Sequence, residues 1–153
     1  MCKLVTLAAS RPLPTYHFDP EYRRISVVDL ASRIGATYHS RLLTLPYAYD
    51  VTSRYGCACG LQVMPEDLAT LADASLPAQS VQSILAAVED FQRLADLVEV
   101  GLEAGPVEIF TCWDSDCFTA QVESRRTVTL PELRQPGFPL VDRQIVTVVA
   151  GHA

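Results

Sequence analysis

Five cysteines carry the most distinctive chemistry in this chain of 153 residues. Cys2 stands alone, Cys57 and Cys59 are separated by one residue, and Cys112 and Cys117 are separated by four. Two close pairs of thiolates can hold a zinc ion, which takes four soft or borderline ligands in a tetrahedron. The pairs therefore raise the hypothesis of a four-thiolate zinc site, with these ligands: Cys57, Cys59, Cys112 and Cys117.

A competing interpretation treats these thiols as ordinary core side chains. The alternation over residues 57–63 predicts a strand that puts Cys57 and Cys59 on the same face as the aliphatic residues after them. Cysteines in phase with aliphatic residues are most often small buried hydrophobes. The spacing within each pair also differs from the two intervening residues that are usual in zinc knuckles. This interpretation predicts that both sulfur atoms point inward and are chemically inert.

A third hypothesis makes one thiol a nucleophile. Cys57 follows Arg54 by three residues, and a nearby cation favours the reactive thiolate. Cys2 would become an N-terminal nucleophile if Met1 were removed, because its own amino group could act as the base. The sequence contains no Gly-x-Ser-x-Gly, no phosphate-binding glycine loop and no His-Glu-x-x-His pattern. An enzyme is therefore the less favoured class, with Cys2 and Cys57 as its catalytic candidates.

The elements that must position these residues alternate between strand and helix. A capping-box pattern at Ser26 predicts a short helix that ends at Gly35. Hydrophobic residues at helical spacing after Pro77 predict a long helix that ends near Gly105. Apolar or alternating runs predict the strands, at residues 3–9, 47–52, 57–63, 107–113 and 144–150, with one or two more within residues 117–129.

This order predicts an α+β protein of one domain, residues 1–153, with a ferredoxin-like split β-α-β core, a long second helix and a C-terminal β-rich extension. In that topology the third and fourth strands run parallel, which places Cys57 and Cys112 at opposite edges, about 15–20 Å apart. The predicted fold and the four-thiolate site therefore exclude each other. The same topology brings Cys2 toward Cys112 or Cys117.

Composition and charge narrow the class of protein. Hydrophobic residues make up 49% and charged residues 20%, so a core can close without disulfides or metal. No stretch approaches the ~20 apolar residues of a membrane span. We therefore expect a soluble, cytoplasmic protein with reduced thiols. Residues 1–60 carry seven basic and four acidic side chains, too small an excess for a nucleic-acid footprint.

The function that these observations favour is non-catalytic. We expect a small binding or regulatory domain that acts by contacting another protein, without nucleic acid, membrane or a required cofactor. Residues 61–110 carry nine acidic and one basic side chain, which would attract a basic protein partner. Trp113 would supply an exposed anchor, because Phe110 takes the opposite face of the same strand. Zinc enters only with the alternative four-thiolate hypothesis.

Overall fold

The computed structural model describes residues 2–32, 41–73, 75–113 and 119–151. Within these ranges the chain is a mixed α+β fold built on a six-stranded sheet and one long helix. Cys117, one of the predicted zinc ligands, lies outside the described residues. None of the helices in these ranges combines the length and the apolar composition that crossing a bilayer requires.

The sheet is antiparallel except at one border. Its strands are β1 (Lys3–Ala9), β2 (Ser26–Asp29), β3 (Tyr47–Thr52), β4 (Val107–Trp113), β5 (Ser124–Thr129) and β6 (Gln144–Val149). They lie in the order β2-β3-β1-β4-β6-β5, and only β5 and β6 pair in parallel. Strands β1 and β4 are buried almost throughout, as their continuous apolar sequences predict. The sequence placed both strands correctly.

Three helices and two 3-10 turns complete the described structure. The helices are α1 (Pro65–Thr70), α2 (Ala78–Leu102) and α3 (Leu130–Leu133), and the turns span Leu30–Ser32 and Ala58–Leu61. The long helix α2 confirms the predicted one, and it begins directly after Pro77. Phe91 and Val98 are buried as its apolar spacing predicts, but Leu85 is 52% exposed. The buried stripe of α2 is therefore narrower toward its N-terminal end than the sequence suggested.

Both faces of the sheet carry apolar side chains. The larger cluster lies on the face that α2 covers, and it includes Leu7, Leu94 and Ile109. The smaller cluster lies on the opposite face, where Phe110 and Cys112 pack with alanine, leucine and isoleucine side chains. Alternate residues of β4 thus enter different clusters, as the two-residue period of a strand requires.

Two predicted elements are wrong. Ser26–Asp29 is strand β2 and not the start of a helix, because it pairs antiparallel with β3 and the hydroxyls of Ser26 and Thr52 are 2.7 Å apart across that pair. Residues 57–63 do not form a strand, and the 3-10 turn Ala58–Leu61 stands in their place. The predicted ferredoxin-like arrangement requires a helix that begins at Ser26 and a strand over residues 57–63. Since neither element is present at these residues, the ferredoxin-like arrangement is not confirmed.

Candidate metal-binding site

Three cysteines that are distant in sequence lie together at the start of β1. The sulfur atoms of Cys2, Cys57 and Cys59 are all within 4.8 Å of one another, and we call this group the thiol cluster. Cys2 and Cys59 are exposed, and Cys57 is half-buried. The prediction that Cys57 and Cys59 point into the core is therefore wrong. Three sulfur ligands at this separation could hold a metal ion.

Backbone donors approach two of the three sulfur atoms. The N–H group of Lys3 donates to Sγ of Cys59 at 3.2 Å, and the N–H group of Cys59 donates to Sγ of Cys57 at 3.3 Å. Cys57 is the residue that caps the 3-10 turn, so its sulfur satisfies a donor that has no partner inside the turn. N–H donors of this kind stabilise a thiolate, and the thiolate is the form of cysteine that binds metals.

The cysteines leave the strand geometry because Ser53 fixes a tight turn before them. Its hydroxyl donates to the carbonyl of Cys57 at 2.7 Å, and its N–H donates to the same oxygen at 3.2 Å. A side chain at Gly60 would start 2.5 Å from the Ser53 hydroxyl, so only glycine fits there. The turn therefore depends on Ser53 and Gly60 together, and it leaves Cys59 exposed and Cys57 half-buried.

A buried ion pair ties this turn to α2. Asp90 is fully buried, and Arg54 donates to its carboxylate from the backbone N–H at 2.8 Å, from Nε at 3.0 Å and from Nη2 at 2.8 Å. Nη2 also donates to Glu89 at 2.6 Å. These hydrogen bonds, first the one with Asp90, raise the pKa of Arg54. Cys57 and Cys59 are thus carried on a segment that is anchored three residues before Cys57.

A buried lysine stands beside the cluster. The ammonium group of Lys3 donates to Oε1 of Gln62 at 2.6 Å and to the carbonyl of Leu140 at 2.9 Å, and it lies 5.7 Å from the ring centre of Trp113. Burial lowers the pKa of Lys3, and the negative charges of Asp142 and Cys59 oppose that shift. The ammonium group of Lys3 is thus held by two uncharged acceptors, while its backbone N–H serves the sulfur of Cys59.

The structure separates Cys112 from the other candidate ligands. Cys112 pairs in register with Leu4 and is buried in the smaller cluster. The 3-10 turn Ala58–Leu61 packs on the opposite face of the sheet. Cys112 therefore lies apart from Cys57 and Cys59, which corrects the predicted set of four zinc ligands: Cys57, Cys59, Cys112 and Cys117. The start of β1 does lie beside the end of β4, as predicted for Cys2 and Cys112, but the sulfur of Cys2 joins the thiol cluster. Trp113 is 37% exposed while Phe110 is fully buried, as their opposite faces predicted.

The sequence did not indicate that Cys2 joins the thiol cluster or that Lys3 is buried beside it. No local pattern relates Cys2 to residues more than fifty positions away, since their meeting depends on the turn at Ser53 packing against the start of β1. One signal was present: a lysine directly after the cysteine, at the beginning of an otherwise apolar strand. A buried ammonium group needs hydrogen-bond acceptors around it. A lysine at the start of a buried strand therefore indicates that a polar site lies nearby.

Comparison with protein-family models, with curated proteins and with solved structures finds no match to this chain. Three thiols, two backbone donors to sulfur and one buried ammonium group form a compact site that could bind a soft cation or react with an electrophile.

Proposed function

We propose that this protein binds a zinc ion through Cys2, Cys57 and Cys59. The observation that carries this proposal is the convergence of the three sulfur atoms within 4.8 Å of one another. A Zn–S bond of ~2.3 Å places the sulfur atoms of a tetrahedral site ~3.8 Å apart. The cluster therefore needs only a small contraction to close around the ion.

The environment of the cluster supports metal binding over a purely structural role for the thiols. Cys2 and Cys59 are exposed, so burial of their small side chains contributes little to the core. Three thiolates so close together repel one another, and a divalent cation removes that repulsion. The N–H donors to Cys57 and Cys59 act as the outer hydrogen bonds that orient ligands in metal sites.

Three sulfur ligands leave a fourth coordination position of zinc for water or for a small exogenous ligand. Zinc sites with three protein ligands and one open position belong to the reactive type, whereas closed four-ligand sites are structural. The exposure of Cys2 and Cys59 keeps this position accessible from solvent. We therefore propose an accessible zinc site, in contrast to the closed four-thiolate site expected from the sequence.

The test is the zinc affinity of single cysteine variants, measured by competition with a chromophoric chelator on reduced protein. We expect one zinc ion per chain, and we expect C2S, C57S and C59S each to weaken binding by more than the roughly 10–100-fold loss that outer-shell changes cause. Cys112→Ala is the matched control, because Cys112 is buried on the other sheet face. Wild-type protein that binds no zinc, or equal losses in the control, would contradict the proposal.

Protein–protein interaction stays a second proposal, supported at the Trp113 edge. Trp113 and Val141 are 37% and 46% exposed, and the hydrogen bond of 2.6 Å from the Thr111 hydroxyl to the Val141 carbonyl brings the segment of Val141 to the end of β4. The acidic segment 61–110 supports a basic partner less well, since arginines from the rest of the chain already engage much of its charge. These pairs are Arg11–Glu103, Arg54–Asp90, Arg54–Glu89, Arg134–Asp96 and Arg134–Glu99.

Thiol catalysis at Cys2 or Cys57 and a cytoplasmic location also remain proposals. Both cysteines belong to the thiol cluster, so a reactive thiolate and a zinc ligand would compete for the same sulfur atoms. Thiols this close to one another stay reduced in a compartment poised by glutathione and thioredoxin, which supports the cytoplasm. Saturating zinc is expected to slow alkylation of Cys2 and Cys57, which separates metal binding from independent thiol reactivity.

A further inference from the structure

A cleft separate from the thiol cluster lies between residues 14–25 and α2. Its volume is about 430 Å³, within the range of small-molecule sites. Ile25 and Leu97, which are 4% and 5% exposed, contribute its apolar floor together with Val100. We call it the arginine–tyrosine cleft, after the side chains at its rim: Tyr16, Tyr22, Arg24 and Arg93.

One positive charge at the rim is not compensated. The guanidinium of Arg24 lies 4.8 Å from the ring centre of Tyr16 and 5.5 Å from that of Tyr22, and it makes no ion pair within the described ranges of the chain. The other charged rim residues have partners. Arg93 is paired with Glu89 at 2.6 Å, and Asp96 is paired with Arg134 at 2.7 Å.

The side chains at this rim are held by the fold. The N–H and carbonyl groups of Tyr16 exchange hydrogen bonds of 2.9 and 2.7 Å with Val27 of β2. Arg23 has a positive φ of 43°, and its carbonyl accepts from Nη1 of Arg93 at 3.0 Å. A left-handed conformation costs a non-glycine residue about 1–2 kcal/mol, so the contact with α2 must maintain it. The cleft is thus preformed, with Arg24 set directly after that strained position.

We propose that the arginine–tyrosine cleft binds a small organic anion with a planar apolar body, such as an aromatic carboxylate. A guanidinium group pairs with carboxylates through two parallel hydrogen bonds. The apolar floor and the tyrosine rings would bury the planar body, where stacked or edge-on contacts add to the area buried. An organic cation is disfavoured by Arg24, and a bare inorganic anion would leave the floor uncovered.

The test is titration of the full chain with anilinonaphthalene sulfonate, an anionic aromatic probe that fluoresces in apolar sites. We expect R24Q to weaken probe binding about tenfold, the loss expected when one charge-assisted hydrogen-bonded contact is removed. Arg125→Gln is the matched control, since Arg125 is an exposed arginine on β5 and does not line the cleft. Circular dichroism of R24Q should match that of the wild type.

Competition identifies the chemistry of the ligand. Benzoate should displace the probe from wild-type protein, whereas benzylamine and acetate should not. Equal probe affinity in R24Q and wild type would overturn the proposal, because the probe would then occupy another surface. Displacement by benzylamine as efficient as that by benzoate would overturn it as well, because the site would then not select for negative charge. Both measurements are made without zinc, so they are independent of the metal-binding proposal.

Discussion

The carboxylate of Asp90 illustrates how a single buried charge can organise a distant site. It sits in the buried stripe of α2, a position that otherwise takes apolar side chains, and it receives three hydrogen bonds from Arg54. A buried charge is tolerated only when it is paired and hydrogen-bonded. The sequence of residues 53–57 is therefore held in one geometry against α2, and the cysteines that follow inherit that geometry.

Removal of this arginine should be costly. In Arg54→Met the carboxylate of Asp90 stays buried and loses its two side-chain hydrogen bonds. It keeps the backbone N–H of residue 54 and Arg93 at 3.9 Å, and we expect a loss of about 3 kcal/mol in the free energy of unfolding. Arg134→Met is the matched control, since Arg134 pairs with two exposed carboxylates of α2, Asp96 and Glu99. We expect a loss of about 1 kcal/mol or less in that control. Urea unfolding measures both variants, and equal losses would contradict the assignment of Asp90 as a buried anchor.

At the scale of elements, the close packing of α2 against the sheet depends on its last turn. Gly101 faces Val107 at the start of β4, and a Cβ atom at position 101 would lie 2.6 Å from Cγ2 of that valine. Val107 is fully buried, and a β-branched side chain has few rotamers with which to move away. The helix and strand can approach so closely because position 101 has no side chain.

Substitution of Gly101 by alanine is therefore expected to destabilise the protein. In a helix interior alanine is more favourable than glycine by about 1 kcal/mol of stability. Overpacking of a core contact, however, costs about 1–3 kcal/mol of stability. We expect the steric term to be larger and the unfolding midpoint in urea to fall. Ser83→Ala is an exposed substitution in the same helix that removes only an exposed hydrogen bond from the Ser83 hydroxyl to the Gln79 carbonyl, and it should leave the midpoint unchanged or raise it. An increase in stability for G101A would show that β4 can shift away from α2.

Elements defined by long apolar patterns could be predicted from the sequence, and those defined by a few polar contacts could not. The spacing of apolar residues in α2 and the apolar runs of β1 and β4 each repeat a signal several times. Alternation at Cys57 and Cys59 repeats only over a few residues, and the hydrogen bonds of Ser53 to Cys57 override it. At Ser26 the capping-box pattern was outweighed by pairing with β3, which is a contact that no local window contains.

The candidate site was predicted in part for the same reason. The sequence singled out Cys57 and Cys59 as a close pair, and these two residues do lie in the thiol cluster. The prediction that Cys112 joins this pair was wrong, because Cys112 faces the other side of the sheet. Cys2 joins the pair instead. The side of a sheet that a residue faces follows from register, and the register between β1 and β4 becomes known only from the folded chain.

Across the whole molecule, the uneven charge of the sequence is largely balanced in space. The acidic residues of α2, and Glu103 directly after it, meet arginines from three separate parts of the chain: Arg11, Arg54 and Arg134. Individual exposed pairs contribute little to stability. Their combined effect is on the surface field, which is weaker along α2 than its composition suggests.

Acid should weaken this balance in a defined direction. The hydrogen bond from Arg54 lowers the pKa of Glu89, so the stability that this group contributes is present above its unfolded pKa of about 4.3 and is lost as pH falls through the folded value. We expect E89Q to be less stable than wild type at neutral pH, and we expect the difference to narrow below about pH 4. Urea unfolding at several pH values measures this. A difference that stays constant from pH 7 to pH 3 would contradict the linkage.

The strand order also determines how copies of this chain behave toward each other. Strand β5 forms one border of the sheet, and its consecutive exposed residues Arg125 and Arg126 lie on opposite faces, where they approach Glu108 and the ring of Phe138. An unpaired border strand is a template on which another chain can add by backbone pairing. Like charges on two approaching β5 strands repel, so these arginines oppose the addition of a second copy at this border of the sheet.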